Sequence, residues 1–248
     1  LNLVLLLGIS TVAVFSIGCG GSPPELLQLF WQKNVVFDRE NDHTYESLSL
    51  WINCSDEDGT EDFAYLYLIH DEEELFWELT DEMWQNDERG SAYWIGTNEF
   101  VMHDRSDFPS GHYRVVLIDA AGDRDERRFF VSAGPGFREL VFPRLIPGTQ
   151  WEIVSPHREN SLWVYDSAGN LVGSYDIEGN SFDPGEFIEG ISETRRQKEE
   201  EQGPEEKEGE NGIEDLETGG VRFYAYAYDD DRGVGLITKS YEYIPSGN

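Results

Sequence analysis

The chain has 248 residues, with 50 Asp or Glu against 18 Lys or Arg, and a formal net charge of −32. A field of that sign and size repels nucleic acid and anionic lipid, which excludes DNA- and RNA-binding functions. Seven Trp, 12 Tyr and 14 Phe supply material for packed cores, so the bulk of the chain is expected to fold as one large or two small domains.

Residues 3–17 carry no charge and are mostly Leu, Val and Ile, which suits the h-region of a secretory signal. The run ends in small residues and Cys19, and the flexible Gly20-Gly21-Ser22-Pro23-Pro24 follows. At ~1.5 Å per residue the stretch before Cys19 spans ~27 Å, just short of a bilayer core, so a plain anchor helix and an ordinary cleaved signal are the alternatives. Ser16-Ile17-Gly18-Cys19 resembles the lipobox of bacterial lipoproteins. The resemblance implies a signal peptide over 1–18, a covalent lipid on Cys19 and a tether over 19–33. It also implies placement in a bacterial cell envelope, with the membrane reached through the lipid anchor. Gly20 carries no acidic inner-membrane retention signal, so the outer membrane is expected.

Residues 34–132 read as about seven short strands punctuated by turns, the mark of a β-sandwich. Leu48, Leu50, Ile52 and Cys54 alternate with Ser47, Ser49, Trp51 and Asn53, which puts Cys54 on the apolar face and Trp51 opposite it. Cys54 is expected to be a buried structural thiol, with a Cys19–Cys54 disulfide, incompatible with lipidation, as the alternative. Residues 63–69 are apolar on both faces, as a central strand covered on both sides would be. Thr80 and Asp81 are candidate caps for a helical turn over 80–86. Pro109-Ser110-Gly111-His112-Tyr113 resembles the entry to the penultimate strand of immunoglobulin-like and fibronectin type III-like domains. That resemblance implies a Tyr113 hydroxyl bonded back to the adjoining corner.

Residues 133–136 read as a linker, and 137–248 as a second sandwich. Strands are expected at 139–142, 150–154, 161–165, 171–175, 221–228 and 234–243. The turn Asp166-Ser167-Ala168-Gly169-Asn170 echoes Asp119-Ala120-Ala121-Gly122-Asp123, with Gly122 and Gly169 at the positions needing positive φ. Duplication of one sandwich and shared turn chemistry both account for the echo. Residues 192–218 hold eleven acidic and four basic side chains, with only Ile213 and Leu216 apolar, so a disordered acidic loop is expected, with a short helix from Arg195, Arg196 and Lys198 into the following glutamates, or an acidic bait for a basic partner, as the alternatives. The fold class expected is therefore all-β: two tandem immunoglobulin-like β-sandwiches with a disordered acidic insertion in the second.

Catalytic signatures are missing. The five histidines have no metal-ligand spacing, and there is no nucleophile elbow, phosphate-binding loop or dinucleotide fingerprint. His70-Asp71 and His103-Asp104 are candidate acid–base pairs that also suit plain strand ends. Two acidic turns warrant a calcium reading, Asp56 with Asp58 and Asp229 with Asp231, because calcium takes six to eight oxygens, although neither run has EF-hand spacing. Tyr224, Tyr226 and Tyr228, with Tyr241 and Tyr243 on the facing strand, form an aromatic stripe. Pointing outward they make a platform for a glycan or peptide; pointing inward they are core with hydroxyls at the rim. Trp51 is a second candidate surface residue. The acidity itself suits a solvated surface, a loose calcium-dependent surface or a basic partner. The function expected is a non-catalytic binding or structural module of an envelope lipoprotein, without a cofactor beyond its lipid. A surface adhesin and an envelope hydrolase with a carboxylate site are the rivals.

Overall fold

The computed structural model describes residues 21–89, 92–177, 179–202, 216 and 219–244. The expected signal and the lipidation site at Cys19 lie outside these residues. Among them no helix is long and apolar enough to cross a membrane.

The protein is predominantly β, in several sheets. The first half supplies β1 (Glu25–Asp38), β2 (His43–Ser55), β3 (Phe63–His70), β4 (Leu75–Thr80), β5 (Gln85–Arg89), β6 (Ala92–Val101), β7 (Gly111–Asp119) and β8 (Arg124–Val131). The second supplies β9 (Arg144–Ile146), β10 (Trp151–Val154), β11 (Asn160–Tyr165), β12 (Leu171–Asp176), β13 (Ser181–Phe182), β14 (Val221–Asp229) and β15 (Val234–Tyr243), with helix α1 (Pro184–Gln202) before β14. Eight strands form one sheet in the order β12-β11-β14-β15-β1-β2-β6-β5, while β4-β3-β7-β8 and β13-β10-β9 form two smaller sheets. The two halves are thus joined by a sheet that runs through both. The seam is β1, which pairs β2 antiparallel along its whole length and β15 in parallel from Asn34↔Gly235 to Asp38↔Lys239. Residues 25–33, expected as tether, are the first part of this strand, because their backbone groups are taken up by β2.

Two cores sit on the large sheet. Leu48, Leu50, Ile52 and Cys54 of β2 face Leu66, Leu68, Val115 and Leu117 of the four-stranded sheet, in the period-two pattern read from the sequence. Burial in this core pushes the Cys54 thiol up to about 12, so it is protonated and inert. Leu162, Val164, Val221 and Phe223 face Trp151, Ile153, Phe182, Ile188 and Ile191 of the three-stranded sheet and α1.

Local chemistry explains several turns. The Tyr113 hydroxyl donates to the Pro109 carbonyl at 2.9 Å, as the corner resemblance implied. The Met83 and Trp84 amides donate to the Thr80 carbonyl in a tight turn, shorter than the helical turn expected over 80–86, because Gln85 and Asn86 already belong to β5. Gly122 (φ 90°) and Gly169 (φ 94°) occupy the left-handed position of matched hairpins.

Three further expectations are overturned. β3 is covered on one face only: Tyr65 is 41% exposed and neighbouring Phe76 of β4 69%, because the four-stranded sheet has a single partner layer. Residues 139–142 are irregular, and Phe137, Leu140 and Phe142 instead pack on Val35, Val234 and Leu236. The acidic segment is not disordered over 192–202, where α1 continues. Asp183 caps that helix, its Oδ1 accepting the amides of Gly185 (2.8 Å) and Glu186 (3.0 Å), with Pro184 at the first helical position. Ile188 and Ile191 anchor it in the second core, Arg195 donates to the Val172 carbonyl at 2.7 Å, and Leu216 is fully buried beside them.

Candidate functional site: an aromatic trough on the continuous sheet

The face of the large sheet opposite the two cores carries its own aromatic cluster. Trp163 and Tyr165 of β11 alternate with core residues Leu162 and Val164, so they point the other way, as do Tyr224 and Tyr226 of β14 and Tyr45 of β2. Tyr165 and Tyr224 meet at 4.4 Å between ring centroids, and Trp163 and Tyr226 stack at 5.0 Å with planes 14° apart. Val36 and Ile237 fill the floor.

This face is concave. Asn98 and Glu99 of β6 line the same pocket as Tyr165 of β11, although four strands lie between β11 and β6. In a flat sheet at ~4.8 Å per strand those two strands would stand ~24 Å apart. The sheet closes that gap by coiling, helped by ladder irregularities between β1 and β2, β2 and β6, and β14 and β15. The pocket encloses about 90 Å³. That is roughly the room of three water molecules, enough for one small side group.

Its charged rim is specific. Lys239 of β15 lies 3.9 Å from a Glu99 carboxylate oxygen and 5.3 Å from the Tyr224 ring centroid, and the Arg105 guanidinium stands 4.3 Å over the Tyr45 ring. Burial works against the Lys239 charge, but Tyr224, Glu99 and Tyr45 outweigh it and hold the ammonium above its usual range. Burial first, then Glu99 and Tyr224, hold Tyr165 well above its usual value, so its hydroxyl stays a donor. Two cations at one mouth is a local exception in a chain of net charge −32.

The structure divides the tyrosine stripe. Tyr224 is buried in the trough, Tyr226 is half-buried against Trp163, and Tyr228 is half-buried further along β14. Tyr241 and Tyr243 leave it for the second core, because the irregularity between Phe223 and Ala225 sets Tyr241 opposite Phe223. Trp51 is half-buried on the trough face and donates from Nε1 to Asn98 Oδ1 at 2.9 Å, which positions the amide at the rim. Tyr45, Trp163, Tyr165, Lys239, Glu99 and Arg105 were not singled out from the sequence. The alternation of Trp163 and Tyr165 with Leu162 and Val164 was the available signal.

The remaining candidates are dispersed. Asp71 pairs with Arg114 at 2.8 Å, whose hydrogen bonds hold it below the usual carboxylate range, while His70 is buried with Nδ1 accepting the Glu73 amide. Asp104 accepts the Ser106 amide, and His103 is exposed. Asp229 is taken by Arg232 at 3.0 Å, and Asp231 is exposed. Asp58 is exposed and accepts the Ser22 amide at 2.5 Å, whereas Asp56 meets Asp62 and Asp119.

No protein-family model and no curated protein matches the sequence. Among solved structures, the chain is similar to dimeric latent PorU from Porphyromonas gingivalis (12% identity, TM-score 0.32, covering 92% of this chain and 20% of that one). It is also similar to the BSP domain of a biofilm-associated protein (12% identity, TM-score 0.24, covering 88% of this chain and 30% of that one). The chain therefore spans less than a third of either structure, and neither likeness bears on its function.

Proposed function

We propose that the protein is a non-catalytic binding module of a bacterial cell envelope, attached through a lipid on Cys19 and built as two sandwich-like halves on one shared sheet. The observation that carries the binding role is the concave trough, where Trp163, Tyr165 and Tyr224 form apolar walls beneath a rim of Lys239, Glu99 and Arg105. Rigid aromatic walls cost little entropy on binding, and a few convergent polar groups fix orientation. The pocket admits one anchoring group of a protein or glycan partner, with the two cations favouring a group that bears an acid or hydroxyls. The attachment is supported by the uncharged run before Cys19 and the flexible residues after it.

The test is binding of the full chain, in detergent, to arrays of envelope glycans and peptides. A ligand held at high salt and weakened about thirtyfold or more by Lys239→Met supports the reading, since a hot-spot truncation costs upwards of ~2 kcal/mol. Ligands bound equally by both proteins, or by neither, overturn it.

A further inference from the structure

Three hairpin turns of this protein are built on a buried aspartate: Asp119 at the end of β7, Asp166 just after β11 and Asp229 at the end of β14. Each uses one carboxylate oxygen to hold a backbone amide of its own turn, four residues on at Asp119 and Asp166 and three residues on at Asp229. Asp119 Oδ1 accepts the Asp123 amide (2.8 Å), Asp166 Oδ1 the Asn170 amide (2.8 Å) and Asp229 Oδ1 the Arg232 amide (3.2 Å). They differ at the second oxygen. Asp166 Oδ2 receives the Asn170 side-chain amide at 2.9 Å, and Asp229 Oδ2 receives the Arg232 guanidinium at 3.0 Å. Asp119 Oδ2 is buried with no partner among the described residues, because the residue equivalent to Asn170 is Asp123.

That orphaned carboxylate belongs to a cluster. Asp119 (2% exposed), Asp56 and Asp62 each offer an oxygen, all within 4.8 Å of one another. Asp56 Oδ2 is likewise buried without a partner, its Oδ1 being taken by the Asp58 amide. The backbone sets the geometry: β3 pairs β7 with Phe63 opposite Asp119, and the Ala120 amide donates to the Asp62 carbonyl at 2.8 Å. Among the described residues no ion pair reaches these three carboxylates, in contrast to Asp229. A buried carboxylate without a partner is costly, and three crowded together more so.

We propose that Asp56, Asp62 and Asp119 bind one calcium ion. Oxygens on a common calcium at ~2.3–2.6 Å lie up to ~5 Å apart, and the separations within this cluster fall inside that limit. The donors are all hard oxygens, from the loop after β2, the 3-10 turn before β3 and the last residue of β7, the chemistry calcium takes, with water completing the shell. The ion ties the loop after β2 to the β7–β8 hairpin. It does so beside the start of the described chain, where Ser22 donates to Asp58 and Glu57. Calcium thereby stiffens the point at which β1 enters the fold.

The experiment titrates CaCl₂ into the full chain in detergent, stripped with EDTA, by calorimetry at physiological salt, with thermal unfolding in parallel. One ion per chain is expected, together with a rise in Tm. Asp119→Asn weakens binding about tenfold or more, since losing even an outer partner of a ligand costs that much. Asp123→Asn, which copies the amide of Asn170, supplies the missing partner: calcium affinity falls likewise, and the fall in Tm on adding EDTA shrinks. Asp229→Asn leaves affinity unchanged. Absence of saturable calcium uptake, or uptake undiminished in both Asp119→Asn and Asp123→Asn, overturns the proposal; the second result would reveal diffuse counterion binding to the acidic surface.

Discussion

Lys33 of β1 and Glu46 of β2 form an ion pair at 3.1 Å with side chains 5% and 0% exposed. Glu46 Oε2 also accepts the Phe108 amide at 2.8 Å, while Oε1 is buried with no partner and lies where a methyl on Gly134 would have to go. The pair thus pins the large sheet, the segment leading into β7 and the stretch after β8 at one point. Lys33→Met keeps the apolar stem and removes the charge. It leaves an uncompensated carboxylate in a dry site, which costs about 3–5 kcal/mol. With a urea slope of about 3 kcal/mol per molar, the unfolding midpoint falls by about 1–1.7 M. Lys33→Met combined with Glu46→Leu removes both charges and forfeits only the acceptor for Phe108, about 1–3 kcal/mol. The double variant is therefore expected to be more stable than Lys33→Met alone, with a coupling of about 2 kcal/mol or more in the cycle. Urea denaturation followed by tryptophan fluorescence reads all four proteins. A Lys33→Met midpoint within about 0.3 M of wild type, or additive single and double losses, would show that water reaches the pair and refute the reasoning.

Two further outcomes follow from the sequence and the fold. Cys19→Ala is expected to move the protein from the membrane to the soluble fraction of the expressing cell, and continued pelleting would remove the lipid anchor from the proposed function. Leu216→Ala is expected to cost about 2–5 kcal/mol in thermal unfolding, because Leu216 is fully buried against α1 and the second core. A loss below about 0.5 kcal/mol, typical of a surface site, would show that the acidic segment does not dock there.

What could be read from the residues alone was whatever depends on neighbours in the chain. Period two placed Leu48, Leu50, Ile52 and Cys54 on one face of β2 and Trp51 on the other, and the fold keeps both assignments. The Asp-x-x-Gly turns at 119–123 and 166–170 and the Tyr113 corner are legible for the same reason, since each closes within five residues. The start of α1 carries a local signal that was not read, Asp183-Pro184 followed by Glu186, because the charge of the residues after it obscured the cap and the short apolar run behind it.

Tertiary structure decided everything that requires distant strands to meet. No local pattern shows that β1 pairs β15 in parallel, so that one sheet crosses both halves. Nor does one show that this sheet coils until Asn98 and Glu99 line a pocket with Tyr165. Coiling accumulates from small twists and ladder irregularities over many strands, and a one-residue irregularity is enough to send Tyr241 to the opposite face from Tyr224. The acidic composition made carboxylate clusters inevitable and therefore uninformative. Only the fold sets Asp56, Asp62 and Asp119 together and leaves Asp119 without the partner that Asp166 and Asp229 have, because side-chain satisfaction is a property of three-dimensional neighbours rather than of sequence spacing.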